Sequence, residues 1–192
     1  MGTQLTNPEM PALTDAEKKT LLRMARETLT GYLTSGKMPA YTVTEPGLLQ
    51  KAAAFVTLRR RGGDLQGCIG RLDGTEPLYG TVQECAVSAA TRDSRFTPVS
   101  DVAQLDDLVI EISALSPFRR ISDVQEIEVG RHGLLIRKGF SCGLLLPQVA
   151  SERRWSRDEF LRAICMKAGL PPNAWRQAEL SVFTAEVFEE ED

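Results

Sequence analysis

Two glycines inside one strand-like stretch constrain this chain more than any other feature. A strand pattern runs from Ala52 to Arg61 and contains Phe55-Val56-Thr57-Leu58. Gly62-Gly63-Asp64 turns the chain and Leu65 to Leu72 returns, so the segment reads as a β-hairpin. The return strand begins Leu65-Gln66-Gly67-Cys68-Ile69-Gly70. Glycine weakens a strand interior because it adds backbone entropy and packs nothing. Gly67 and Gly70 make sense where another backbone, or a ligand, must come close to Cys68. Cys68 itself has two readings: a sulfur presented in an open crevice, or a small buried hydrophobe, as free cysteines usually are.

The rest of the chain mixes helical and strand periods. Thr14-Asp15-Ala16-Glu17 is a capping-box pattern, and the helix it opens runs to a stop at Gly36. Residues 37–50, with Pro39, Pro46 and Gly47, read as an irregular connection. Thr75 caps a second helix with Pro77 in its first turn, ending near Asp93. Leu108 to Leu115 is the clearest strand. Gly133 to Arg137 and Gly143 to Leu146 are short strands around a turn at Lys138 to Ser141. Ser156-Arg157-Asp158-Glu159 is another capping box, and its helix stops at Gly169 before Pro171-Pro172. Leu180 to Phe188 reads as one last strand, followed by a frayed acidic tail, 189–192. Hairpins mixed with helices favour α+β architecture, with mainly antiparallel sheets and flanking helices, over a doubly wound parallel sheet.

Composition narrows the chemistry. The 192 residues are 42% hydrophobic, which is enough to bury a core without disulfide or metal staples. The net charge of −3 argues against an overall nucleic-acid footprint, DNA included. Arginine pairs and triplets (Arg59-Arg60-Arg61, Arg119-Arg120, Arg153-Arg154) suit phosphates and carboxylates, or are simply solvated loop charges. Cys68, Cys85, Cys142 and Cys165 are scattered, and His132 is the single histidine, so no zinc, haem or iron–sulfur spacing exists. Phosphate-loop and nucleophile-elbow patterns are absent too. No metal or other cofactor is expected. Met1 to Pro11 lacks a secretory pattern, and no apolar run approaches the ~20 residues of a membrane span. The expectation is a cytoplasmic protein off the membrane, monomeric or weakly dimeric, with reduced thiols.

Candidate site residues follow from side-chain chemistry. His132, in Gly130-Arg131-His132-Gly133, is the one imidazole available as a general base, and paired with Cys68 it would make a minimal activated thiol. The alternative is a turn histidine bonding backbone. In Asp93-Ser94-Arg95-Phe96, Asp93 and Arg95 either bind a polar substrate or bind each other and lock the helix end. Glu111 sits mid-strand among apolar residues, facing either solvent or a cleft. Cys85 and Cys165 lie on apolar helix faces and read as core. Trp155 and Trp175 read as packing anchors.

Taken together, Phe55-Val56-Thr57-Leu58, Leu65 to Gly70, Asp93 to Phe96, Gly130 to Gly133, Gly143 to Ala150 and Lys167-Ala168-Gly169-Leu170-Pro171 resemble the AMMECR domain in content and order. Its bacterial and archaeal branch is known as AmmeMemoRadiSam system protein A. The similarity runs from about Leu13 to Phe188. It implies a single domain over 13–188, preceded by a flexible segment 1–12, with a larger and a smaller lobe and a cleft between them. It implies the company of a Memo-like protein and a radical SAM enzyme. It implies no settled reaction: a small-molecule or RNA-related ligand, and catalysis by Cys68, have been suspected. Carried over, the suspect positions are Gly67, Cys68, Ile69, Gly70, Asp93, Arg95, Phe96 and His132. Gln66 stands where the family commonly has arginine, and Ser94 where proline is common. Two functions remain: a cysteine-dependent enzyme of unassigned reaction, or a non-catalytic binding and partner module.

Overall fold

The computed structural model describes residues 12–191, so nearly all of the segment expected to be flexible lies outside the described residues, as does Asp192. In chain order the elements are α1 (Asp15–Ser35), α2 (Pro46–Leu49), β1 (Ala53–Arg60), β2 (Leu65–Arg71), α3 (Leu78–Thr91), β3 (Leu108–Leu115), β4 (Arg119–Ile121), β5 (Gly133–Lys138), β6 (Ser141–Leu145), α4 (Pro147–Glu152), α5 (Arg157–Lys167), β7 (Glu179–Phe183) and β8 (Ala185–Glu189), with short 3-10 turns between. The fold is α+β. It divides into two compact units, one of residues 12–115 with 186–191, the other of residues 116–185.

The first unit is a four-stranded sheet in the order β2-β1-β3-β8. β1 pairs antiparallel with β2 and with β3. Strand alternation sends Ala54, Val56 and Leu58 of β1 and Ile110, Ile112 and Ala114 of β3 to one face, where all are essentially fully buried. Helix α3 packs on β1 and β2, and α1 packs on α3. Each large side chain so buried contributes about 1.5–3 kcal/mol relative to exposure. The Thr14–Glu17 capping box opens α1, and Gly36, at φ +72°, closes it with its N–H on the Tyr32 carbonyl at 2.8 Å. At α3 the expectation fails in detail. The helix starts at Leu78 rather than after Thr75, because 76–78 is held extended against 50–52. The Leu78 N–H donates to the Gln50 carbonyl at 2.9 Å, and Lys51 forms a bridge with Pro77.

The second unit is an antiparallel sheet in the order β4-β7-β5-β6, covered by α5. Leu134, Ile136, Leu180 and Val182 pack with Phe160, Leu161, Ile164 and Cys165 of α5. The Ser156–Glu159 capping box opens α5 as expected. Strand β4 and helix α4 carried no separate signal in the sequence.

The last apolar run is not one strand. Thr184 interrupts it, held by Ser116: the Thr184 N–H donates to Ser116 Oγ, and the Ser116 N–H donates to the Thr184 carbonyl, each at 2.9 Å. β7 joins the second sheet and β8 the first. Nor is the acidic tail frayed where it begins. Glu189 ends β8, and the Glu190 N–H donates to the Ile110 carbonyl at 3.0 Å. The Glu190 carboxylate pairs with the Arg26 guanidinium and accepts the Ile110 N–H at 2.9 Å. A carboxylate that satisfies a β3 amide is part of the sheet.

Candidate functional site

β2 is an edge strand, and its glycines are explained on opposite faces. A Cβ on Gly67 would collide with the Ala89 carbonyl of α3, so the helix backbone lies directly against the strand there. A Cβ on Gly70 would collide with the ring of Phe55, its cross-strand neighbour on β1. The close approach read from the sequence is therefore made by the protein's own backbone and ring.

Between them, Cys68 is held from outside the sheet. Its N–H donates to Asp93 Oδ2 at 2.9 Å, and its carbonyl accepts from Arg95 Nη2 at 3.2 Å. The Asp93 and Arg95 side chains thus offer one acceptor and one donor, as the next strand of a sheet would. They are fixed to each other by a fork: Arg95 Nε to Asp93 Oδ1 at 2.9 Å and Arg95 Nη2 to Asp93 Oδ2 at 2.7 Å. The Arg95 backbone N–H also reaches Asp93 Oδ1 at 3.2 Å. The guanidinium, bonded to the nearly buried carboxylate, holds the Asp93 carboxyl well below the usual carboxylate range; the Cys68 N–H adds to this, against the opposing effect of burial. Asp93 in turn raises Arg95. The Arg95 side chain remains 55% exposed and lies over the Phe96 ring, 5.3 Å from its centroid. Gln66, on β2, accepts from Arg60 Nη2 at 2.7 Å and donates to the Thr97 carbonyl at 2.8 Å. It ties the start of the strand to the same loop.

Because both backbone groups of Cys68 point outward, Cys68 and its partner Thr57 form a non-hydrogen-bonded cross-strand pair, the kind that brings side chains closest. Thr57 Oγ1 donates to Cys68 Sγ at 3.3 Å. Thr57 also stands opposite Glu111 on β3. Cys68, Thr57 and Glu111 therefore form one row across three strands, on the face away from α3. Two positions along β3 from Glu111, the Ser113 hydroxyl is buried and without a hydrogen-bond partner. Thr57, beyond its place in Phe55-Val56-Thr57-Leu58, and Ser113 carried no signal in the sequence that marks a site residue. Only the register of β1 with β2 and β3 reveals them, since each is an ordinary small polar residue at an alternating position.

His132 lies in the second unit and is 5% exposed. Its Nδ1 accepts the Glu128 N–H at 3.1 Å, and its backbone N–H donates to the Glu128 carbonyl at 2.9 Å. Burial lowers its basicity, partly offset by the Glu128 carboxylate. This is the geometry of a histidine that closes its own turn. The structure places Cys68 and Glu111 on the sheet of the first unit, Asp93 and Arg95 in the loop beside its β2 edge, and His132 in a loop of the second unit.

The four cysteines are unpaired. Burial pushes the Cys85 thiol up to about 12 and raises Cys165 as well, so both are inert core groups. Cys142 is exposed on β6. Among the described residues no three histidine, cysteine or carboxylate side chains gather as metal ligands do, and no helix is long and apolar enough to cross a membrane.

The comparisons with known proteins fit this picture. The sequence model of the AMMECR1 family matches residues 22–188. A protein of Methanopyrus kandleri is 42% identical over 94% of this chain and 91% of its own length. One of Thermococcus onnurineus is 43% identical over 89% of each chain. The crystal structure of an uncharacterised protein of Pyrococcus horikoshii superposes with a TM-score of 0.86 at 40% identity, covering 93% of this chain and 94% of that one. Fold, order of motifs and likeness along nearly the whole length agree: the chain belongs to the AMMECR1 family.

Proposed function

We propose that the protein acts on a small polar substrate beside the β2 edge, with Cys68 as the reacting group, as nucleophile or as acid and base. One observation carries this reading. The Cys68 main chain is clamped from outside by the Asp93–Arg95 fork, while its sulfur is left half-buried and bonded to the Thr57 hydroxyl. A cysteine kept only for packing needs neither feature, and the core thiols Cys85 and Cys165 have no such clamp. Glu111 lies in the same row, with Thr57 between it and Cys68, and would serve a substrate bound across that row as its carboxylate. Arg95, half exposed, has donors to offer an anionic or carbonyl group of a metabolite or nucleotide-like substrate. His132 is not needed for this scheme.

A second reading has its own observation: Gly67 and Gly70 are accounted for by Ala89 and Phe55 alone. The motif would then build a rigid surface for partners, a Memo-like protein and a radical SAM enzyme, without chemistry at sulfur. Alkylation of the native protein, read by mass spectrometry, separates the two, with the exposed Cys142 as internal standard. The enzyme reading expects Cys68 to react faster than Cys142, and Cys68→Ser to lose complementation in cells while the Tm stays near wild type. Slower labelling at Cys68, with complementation intact in Cys68→Ser, selects the partner module.

A further inference from the structure

One end of the second sheet carries positive charge that its own carboxylate does not balance. Arg120 on β4 and Arg137 and Lys138 on β5 line a cavity of about 580 Å³ together with Gly139, Gln177 and Glu179. Glu179 lies opposite Arg137 in the strand register and pairs with Arg120 at 3.1 Å, both side chains being largely exposed. Lys138 reaches only Gln177 Oε1, at 3.4 Å. Arg137 is exposed, and its side chain has no hydrogen-bond or ion-pair partner among the described residues. Three cations thus face one carboxylate, in a chain whose net charge is −3. The Arg119-Arg120 pair also divides: Arg119 pairs with Glu126, while Arg120 lines the cavity.

Beside the cavity, the β5–β6 turn adds a ring. Gly139, at φ +58°, leads into Phe140, the most exposed large apolar side chain described, at 111% of its reference area. Turn positions normally hold polar residues or glycine. A fully hydrated ring there does nothing for the packing of its own unit.

We infer that this end of the sheet binds a phosphate group carried on a ligand with a planar ring. The arginine forks and the lysine hold the phosphate, and the Phe140 face takes the ring. A mononucleotide is the smallest ligand with both parts. Single-stranded nucleic acid offers the same chemistry, repeated. The site uses none of the residues around Cys68, so it stands or falls independently of the proposed reaction.

The test is calorimetric titration of the full chain with adenosine monophosphate, ribose 5-phosphate and a short oligothymidylate, each at low and high salt. The variants are Arg137→Glu/Lys138→Glu and Phe140→Ala, all at exposed or half-exposed positions where folding tolerates change. The expected result is tighter binding of adenosine monophosphate than of ribose 5-phosphate. The charge reversal should weaken both by about tenfold or more, the loss of at least one charge-assisted bond. Phe140→Ala should erase the advantage of the nucleotide and leave ribose 5-phosphate unchanged. An oligothymidylate that outcompetes the mononucleotide, with steep salt dependence, names the polymer as the source of the phosphate. No binding by any of the three, or binding unchanged by charge reversal, overturns the inference.

Discussion

The two sheets present the same local arrangement at their edges, and only one of them elaborates it. β2 and β6 are edge strands, each the return strand of a hairpin, and each carries a cysteine beside a glycine. In both, the glycine lies under a helix: Gly67 under Ala89 of α3, and Gly143 under Ala168 at the end of α5. What differs is the outer side. The Cys68 backbone is latched by Asp93 and Arg95, whereas Cys142 has no such latch among the described residues. The glycine is therefore a packing device common to both units, and the latch is the feature peculiar to the candidate site.

Glycine substitution tests the shared half of this comparison and should give the largest effects. Overpacking typically costs about 1–3 kcal/mol. Gly67→Ala should reach or exceed the upper end, because the obstructing atom is helix backbone. Gly143→Ala should lie lower, since the nearest atoms there, the Ala168 Cβ and N, stand at 2.9 Å, against 2.1 Å for the Ala89 carbonyl oxygen at Gly67. Thermal denaturation of both variants checks the order, and equal losses would remove the distinction.

Removing the latch comes next. Asp93→Ala leaves the Cys68 amide and the Arg95 fork without their acceptor, and a loss of about 2–3 kcal/mol is expected. It should also change the acid limb of the stability curve. The Asp93 carboxyl is depressed in the folded protein, so its contribution is complete above the unfolded value of about 3.9 and is lost as pH falls through the folded value. Denaturation from pH 5 downward should be flatter in Asp93→Ala than in wild type. His132 acts in a higher window. Its folded basicity is lowered, so stability should decline as pH drops below about 6.5, and a conservative His132→Gln should abolish only that part.

Arg95→Lys should cost less, about 1 kcal/mol, because charge is kept while the fork is lost. It should nevertheless impair function as Cys68→Ser does if Arg95 also holds substrate. The smallest expected effect is on stability in Cys142→Ser, within about 0.5 kcal/mol. A comparable null effect on stability in Cys68→Ser, with function lost, would place the difference between the two edges in chemistry rather than packing.

Much of this was legible in the sequence because local rules wrote it. The capping boxes at Thr14 and Ser156, the Gly36 stop, the Gly62-Gly63 hairpin and the β3 span depend on near neighbours and came out as read. The close approach at Gly67 was legible as a demand, though not as a helix backbone. Other features depend on pairing between distant segments. The row of Cys68, Thr57 and Glu111 exists only through register. The break at Thr184 depends on Ser116, and the start of α3 on strand-like bonds to residues 50–52. The acidic tail looked frayed because its charge suggested solvent, whereas Arg26, far away in the chain, waits for Glu190.

That last contact decides how the molecule can be made. The first unit holds both the earliest and the latest described residues: the Leu13 N–H donates to Glu186 Oε1 at 3.0 Å, and Lys18 pairs with the same carboxylate at 3.0 Å. Residues 116–185 are an insertion within it. During synthesis from the N-terminus, helices α1 and α3 and strands β1 to β3 emerge with one sheet edge unfilled. They stay so until the whole insertion has been translated, and β8 is the final piece. The two segments that meet there, one starting at Leu13 and the other running to Glu190, can equally be joined: a short linker between them, with new termini opened in an exposed loop, should yield a circular permutant that folds without waiting.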